Sequence, residues 1–226
     1  LRKGKTPPLM LHLKYQFYEK TVYSLLKKTI GIENGNFFPT AGAAVPDEIC
    51  EFVHSVGINM LVGYGLTEST ATVSCFQNSG YEIGSVGTVM PDVEVKIGEN
   101  NEILLRGKTI TKGYYKKAEA TAEAIDKEGW FHTGDAGYLN GNCLYLTERI
   151  KDLFKTSNGK YISPQALETK LAIDRYIDQI AIIADQRKFV SALIVPMYGF
   201  VKDYAKEKGI EYKDMTELLQ HPKIVG

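Results

Sequence analysis

Residues 63–70 read Gly63-Tyr64-Gly65-Leu66-Thr67-Glu68-Ser69-Thr70, and they close a run, Asn59 to Gly63, with the character of a strand. In open α/β sheets ligands bind outside the carboxyl ends of strands. Here two glycines free the backbone, Tyr64 offers a flat face, Thr67 a hydroxyl and Glu68 a carboxylate. A hydroxyl beside a carboxylate can serve phosphate oxygens and a magnesium ion together. A strand end followed by a capped helix would explain Thr67 or Ser69 alone. It does not require the two glycines and the aromatic.

Working outward toward the amino end, Pro46 suits the first turn of a helix, with Asp47 and Glu48 favourable at its positive end. That helix is expected to run to about Val56 and to stop at Gly57. Before it, Phe37-Phe38 reads as a short strand running into Thr40-Ala41-Gly42-Ala43-Ala44. Residues 36–64 are therefore strand, loop, helix, strand, a βαβ-type unit. The small side chains at 40–44 would let a flat ring approach the backbone, although tight helix–strand packing explains such a run about as often. Further upstream, Leu11, Tyr15, Tyr18, Val22, Leu25, Leu26 and Ile30 fall near one face of a helix over Met10 to Ile30, stopped by Gly31.

Toward the carboxyl end the character changes. Val93 to Ile97, Glu102 to Arg106 and Cys143 to Thr147 alternate as strands, with a helix near Ala118–Ile125. Gly129-Trp130-Phe131-His132-Thr133-Gly134-Asp135 and Arg149-Ile150-Lys151-Asp152 carry polar groups that core packing does not need. A carboxylate accepts two hydrogen bonds side by side, so Asp135 suits a ribose diol, and Arg149 suits phosphate charge. The plainer reading is a turn aspartate and a surface arginine. Beyond Lys151, Asp152 to Thr156 and Lys160 to Ser163 read as two strands around an Asn158-Gly159 turn. Then come a helix from Pro164, strands at Gln179–Ala184 and Ser191–Val195, and a charged helix around Val201–Lys208. His221 to Gly226 shows no cap or closing element.

The 226 residues are 44% hydrophobic and 24% charged, ordinary values for a globular protein. Lys plus Arg and Asp plus Glu both total 27, so no net field collects nucleic acid. The three cysteines, Cys50, Cys75 and Cys143, have no zinc-ligand spacing and are odd in number, so buried free thiols are expected. The chain opens on Leu1; Arg2, Lys3, Lys5 and Pro7-Pro8 form no signal peptide, and the start reads as a cut within a longer protein. No apolar run approaches the roughly 18 residues a membrane span needs. A cytoplasmic location is expected.

Some motifs fail on context. Gly107-Lys108-Thr109 lacks the upstream glycine of a phosphate-binding P-loop, since Glu102 stands there; for Gly4-Lys5-Thr6 these residues do not reach that place, and Pro7-Pro8 would obstruct the helix such a loop opens. His132 has no neighbouring Cys or Ser to pair with, and Asp126, Glu128 and Asp135 lack the alternate ligands of a cation loop.

Together the stretches resemble the adenylate-forming superfamily of acyl-CoA synthetases, luciferases and peptide-synthetase adenylation domains. Its members carry Gly-Tyr-Gly-Leu-Thr-Glu, then Gly-Trp-Phe-His-Thr-Gly-Asp, then Arg-x-Lys-Asp, in this order. Gly84-Ser85-Val86-Gly87 and Arg106-Gly107 through Gly113-Tyr114-Tyr115 match as well. Asp152-Leu153-Phe154-Lys155-Thr156-Ser157 and Lys160-Tyr161-Ile162-Ser163-Pro164 look most like the long-chain fatty acid branch.

The resemblance implies an α/β fold: part of the large AMP-binding domain (1–79), a β-rich barrel-like subdomain (80–148), a hinge (149–151) and an incomplete small domain (152–226). It implies ATP, magnesium and coenzyme A, with a fatty acid as substrate and no nucleic acid partner. The carboxylate would attack the α-phosphate of ATP, and the thiol of coenzyme A would then attack the acyl-adenylate. Gly42, Ala43, Ala44, Tyr64 and Gly65 would line the adenine slot, Thr67 would contact phosphate and Glu68 magnesium. Asp135 would hold the ribose hydroxyls, Arg149 would reach ribose or phosphate oxygens, Lys151 would be the hinge, and Gly159 would approach the pantetheine. The family's phosphate loop and its terminal catalytic lysine have no counterpart in these 226 residues, so the fragment alone is expected to be inactive. Glu148 stands where Gly or Asp usually precedes the arginine. An amino-acid or aryl adenylating enzyme and a non-catalytic nucleotide-binding module are the alternatives. Oligomeric state and peripheral membrane association stay open.

Overall fold

Helix α1 (Leu9–Tyr18) passes through a single π turn, Glu19–Tyr23, into α2 (Ser24–Thr29). Gly31, at φ 74°, then turns the chain, with Ile32 N–H bonded to Lys27 O and Gly31 N–H to Lys28 O. That pair of bonds is a Schellman cap, and the positive φ is why glycine ends the helix. Most residues of the apolar face expected over Met10 to Ile30 are uncovered: Leu11, Tyr18, Val22, Leu25 and Ile30 are exposed, as are Leu13 and Phe17 beside them. The computed structural model describes residues 7–225 apart from Ala71, Ser79, Asn158 and Gln186. Asn158 of the expected turn, and the Gly4-Lys5-Thr6 stretch, lie outside the described residues. The chain divides into two compact units, Leu1–Lys151 and Asp152–Gly226.

In the first unit, β1 (Phe38–Thr40), α3 (Asp47–Ser55) and β2 (Met60–Tyr64) form the βαβ unit, with β1 and β2 parallel and Thr40 opposite Val62. Pro46 occupies the N-cap position of α3, just ahead of the expected first turn. Gly57, at φ 75°, caps α3 in the same Schellman manner as Gly31, with Ile58 N–H on Val53 O. Cys50, Met60, Val62 and Phe76 make the core beneath this unit. Of the three free cysteines only Cys50 is buried; Cys75 and Cys143 are half-buried, which corrects the expectation of three buried thiols.

The chain continues through β3 (Ser74–Cys75), β4 (Thr88–Val89), β5 (Val93–Ile97), β6 (Glu102–Gly107), α4 (Ala118–Ala124), β7 (Phe131–Asn140) and β8 (Cys143–Arg149). One sheet of eight strands results, in the order β1-β2-β3-β4-β8-β7-β6-β5. Apart from the β1–β2 pair all its ladders are antiparallel. The sheet is strongly curled. Four strand spacings of about 4.8 Å separate β2 from β7, yet the Tyr64 hydroxyl reaches Asp135 at 2.7 Å. Tyr64, Val73, Val93, Ile103, Leu105, Phe131 and Leu144 fill the curl. The longest strand, β7, takes in Phe131 to Asp135 of the Gly-Trp-Phe-His-Thr-Gly-Asp stretch. Asp135 is therefore a buried strand residue, which overturns its reading as a turn aspartate.

The second unit holds a two-stranded ladder of β9 (Phe154–Lys155) and β10 (Tyr161–Ile162), then α5 (Pro164–Leu171), and a hairpin of β11 (Ile177–Ile183) and β12 (Ser191–Pro196). Three helices follow, α6 (Tyr198–Glu207), α7 (Met215–Gln220) and α8 (Pro222–Val225). Val201, Ala205, Ile210 and Leu218 form their core. Asp214 caps α7, accepting Glu217 N–H at 2.9 Å, and the closing segment, read from sequence as uncapped, opens α8 with His221 Nδ1 accepting Lys223 N–H at 3.2 Å.

Candidate active site

The parallel pair β1–β2 puts the ends of both strands at one edge of the sheet. The Gly42-Ala43-Ala44 loop leaves β1 there, and Gly65 through Glu68 leave β2 there. Gly42, Ala43 and Ala44 are exposed. Gly42 sits at φ 90° with open space where a Cβ would be, so its backbone conformation, not crowding, favours glycine. After Leu66 the chain makes one 3₁₀ turn, Thr67–Ser69. The buried Ser69 holds that turn, accepting Leu66 N–H at 2.9 Å and donating to Leu66 O at 3.0 Å. Its role is structural, and it leaves Thr67 exposed and Glu68 half-exposed.

The segment after β6 is stitched over this turn. Thr111 N–H donates to Glu68 O at 2.7 Å, and the Thr70 hydroxyl to Thr109 O at 2.7 Å. The Tyr114 hydroxyl donates to Glu68 Oε1 at 2.9 Å, and burial together with this bond raises the phenol's pKa. The Glu68 carboxylate is thereby oriented by the Tyr114 hydroxyl. Magnesium is held by one or two protein carboxylates with substrate phosphates and water completing its shell, so this single oriented carboxylate fits that ion. Among the described residues no group of three or more His, Cys, Asp or Glu could form a protein-only metal cage.

The second half of the site is Asp135. Its register partner across β7 and β8 is Arg149, and Arg149 Nε lies 3.4 Å from Asp135 Oδ1. The Tyr64 hydroxyl donates to Oδ2 at 2.7 Å. Burial, then the bond to Asp135, pushes the Tyr64 phenol far above its ordinary pKa. The Asp135 side chain keeps 12% of its surface and Arg149 50%, so the carboxylate is mostly buried while the arginine is half accessible. An ionised carboxylate offers about four acceptor positions, two of which stay available beside Tyr64 and Arg149. The Tyr64 ring itself is buried among Val73, Ile103 and Leu105, so only a remnant can face a ligand.

Tyr64, Asp135 and Arg149 are thus one cluster, and Thr67 and Glu68 follow from it by chain. Lys151 belongs to the 3₁₀ turn Ile150–Asp152 and ends the first unit. Gly159 lies in the second unit, exposed, at φ 80°, its N–H on Thr156 O at 2.8 Å. Sequence reasoning gave no role to Tyr114, Glu102 or Thr133. Tyr114 lay inside a quoted motif, but its bond to Glu68 spans 46 positions that no local pattern marks.

A curled sheet ending in a βαβ unit is a fold shared with adenylate-forming enzymes. The o-succinylbenzoate CoA synthetase of Bacillus subtilis, solved with its acyl-adenylate intermediate, superposes with TM-score 0.63 and 25% identity over 76% of this chain and 40% of that one. Residues 6–115 match the AMP-binding enzyme family. It is 31% identical, over 98% of its length, to the peroxisomal long chain acyl-CoA synthetase 7 of Arabidopsis thaliana. It is 35% identical, over 77% of its length, to long-chain-fatty-acid–CoA ligase 1 of Saccharomyces cerevisiae. The chain spans 33% and 27% of the length of these two relatives.

Proposed function

We propose that the protein carrying this chain activates a long-chain fatty acid with ATP to an acyl-adenylate and then transfers the acyl group to coenzyme A. The observation that carries this reading is the Tyr64–Asp135–Arg149 cluster, assembled from segments 71 positions apart and joined by chain to Thr67 and Glu68. A buried, doubly held aspartate that keeps part of its side chain accessible is suited to a vicinal diol. The similarity to long-chain acyl-CoA synthetases supports the acyl substrate.

In this mechanism Asp135 accepts both ribose hydroxyls while Gly42, Ala43, Ala44, Tyr64 and Gly65 border the adenine. The Thr67 hydroxyl donates to a phosphate oxygen, and Arg149 supplies positive charge where the α-phosphate takes on charge. Glu68 would hold magnesium, whose charge would offset that of the phosphates. The fatty carboxylate displaces pyrophosphate, and the coenzyme A thiol later displaces AMP. Lys151, the last residue of the first unit, is the hinge, and Gly159 leaves room beside the pantetheine arm. Among the described residues no helix is long and apolar enough to cross a membrane.

The test is fatty-acid-dependent exchange of labelled pyrophosphate into ATP by the full-length protein. Exchange with palmitate, together with acyl-CoA formed when coenzyme A is added, is the expected result. Exchange supported only by an amino acid or an aryl acid would move the protein to another branch. ATP binding without exchange on any carboxylate would make it a binding module.

A further inference from the structure

The aim of Asp135 depends on a break in the β6–β7 ladder. Glu102 pairs with Ala136 and Leu104 with His132, so one residue of β6, Ile103, faces three of β7, Thr133 to Asp135. Gly134 takes φ 75° within the strand, a left-handed conformation glycine adopts without penalty. This is a bulge, the device by which a strand re-aims a side chain. Gly134 and Asp135, both buried, lie in this bulge, and buried backbone N–H groups must be satisfied.

Side chains satisfy both. Asp135 N–H donates to the Thr133 hydroxyl at 3.0 Å, which itself donates to Ile103 O at 2.7 Å. Gly134 N–H donates to Glu102 Oε1 at 2.9 Å, while Glu102 Oε2 meets His132 Nδ1 at 2.9 Å. The Glu102 carboxylate therefore spans the bulge, gripping the residue just before Asp135 and a second residue at the bulge's far end. Its side chain is only 20% exposed, so the grip is shielded from competing water.

We propose that Glu102 is the positioning residue of this site: its carboxylate holds the Gly134 N–H within the bulge and so fixes the direction in which Asp135 presents its carboxylate. The inference rests on the proposed ribose-binding role of Asp135. The probe is the pair ATP and 2′-deoxy-ATP, with magnesium and without fatty acid, titrated calorimetrically into the full-length protein. Loss of one hydrogen bond to an ionised group corresponds to a preference for ATP of roughly ten-fold or more. Glu102→Ala is expected to shrink that preference to about three-fold or less, because a mis-aimed carboxylate no longer distinguishes the two sugars. Glu102→Gln, whose amide oxygen can still accept Gly134 N–H, is expected to retain it. A purely structural residue would lower the melting temperature and leave the ratio alone.

An unchanged ratio in folded Glu102→Ala overturns the proposal, as does a Gln variant that falls as far as Ala. Should Glu102→Ala not fold, Glu102→Asp withdraws the carboxylate by one methylene, and an unchanged ratio there overturns it equally. A wild-type protein that binds both nucleotides alike removes the ribose role of Asp135, and this proposal with it. That outcome differs from the others, which leave the ribose role standing.

Discussion

Replacing Tyr64 by Phe deletes one hydroxyl and nothing else of the buried ring. The lost bond is 2.7 Å long and ends on the Asp135 carboxylate, and Tyr64 is 8% exposed, so water replaces it poorly. A hydrogen bond to a charged group contributes about 1.5–3 kcal/mol, and that loss is expected near neutral pH. A second effect appears at alkaline pH. Burial and Asp135 raise the pKa of the folded Tyr64 above the ordinary phenol value. Its contribution is therefore complete below the unfolded value of about 10 and is lost as the pH climbs from there toward the folded value. Between pH 10 and 11 the unfolded chain releases this proton while the folded chain keeps it, which costs the wild type about 1 kcal/mol. Tyr64→Phe escapes that cost. Tyr114 and Tyr145, the latter pushed up to about 12 by Glu82, behave alike in both proteins and cancel. Trp130 is the single tryptophan and packs in the same unit, with Arg106 4.4 Å from its ring centre. Urea unfolding of the 226-residue chain, followed by Trp130 fluorescence at pH 7, 10 and 11, measures both effects. The variant should be weaker at pH 7, with the gap narrowing by about 1 kcal/mol from pH 10 to 11. Parallel loss of stability in the two proteins across that interval would refute the buried bond.

Asp135→Ala in the full-length protein should weaken ATP binding by about ten-fold or more, read by calorimetry. Because Asp135 is a buried strand residue, this variant should also melt earlier, and Asp135→Asn should recover the stability better than the binding. Gly87→Ala should destabilise the first unit by at least about 2 kcal/mol in urea unfolding. Gly87 sits at φ 91°, and an added Cβ would collide with the backbone of Cys75. Lys151→Pro fixes φ near about −65° and should abolish one half-reaction while sparing the other. Pyrophosphate exchange reports the first half-reaction and transfer from pre-formed acyl-AMP the second; equal loss of both would move the hinge elsewhere.

Local pattern was enough for the elements whose burial follows their own periodicity. The βαβ unit, the strand Val93–Ile97, the Cys143 to Thr147 part of β8, and the glycine stops at Gly31 and Gly57 were legible, because one-sided burial and left-handed caps leave marks in the sequence itself. The order of the motifs also pointed to the adenylate-forming fold. Strands Ser74–Cys75 and Thr88–Val89 were not legible, since two residues carry no period. Nor was β7, because it is buried on both faces and bulged, so alternation is erased over Thr133 to Gly137. That strand decides the character of Asp135. Sequence alone supplied a carboxylate of the right type; only the curl of the sheet, which closes four strand spacings into one 2.7 Å bond, made it a buried partner of Tyr64. Such a contact depends on the summed twist and bulging of five strands, a property of no single segment of the chain.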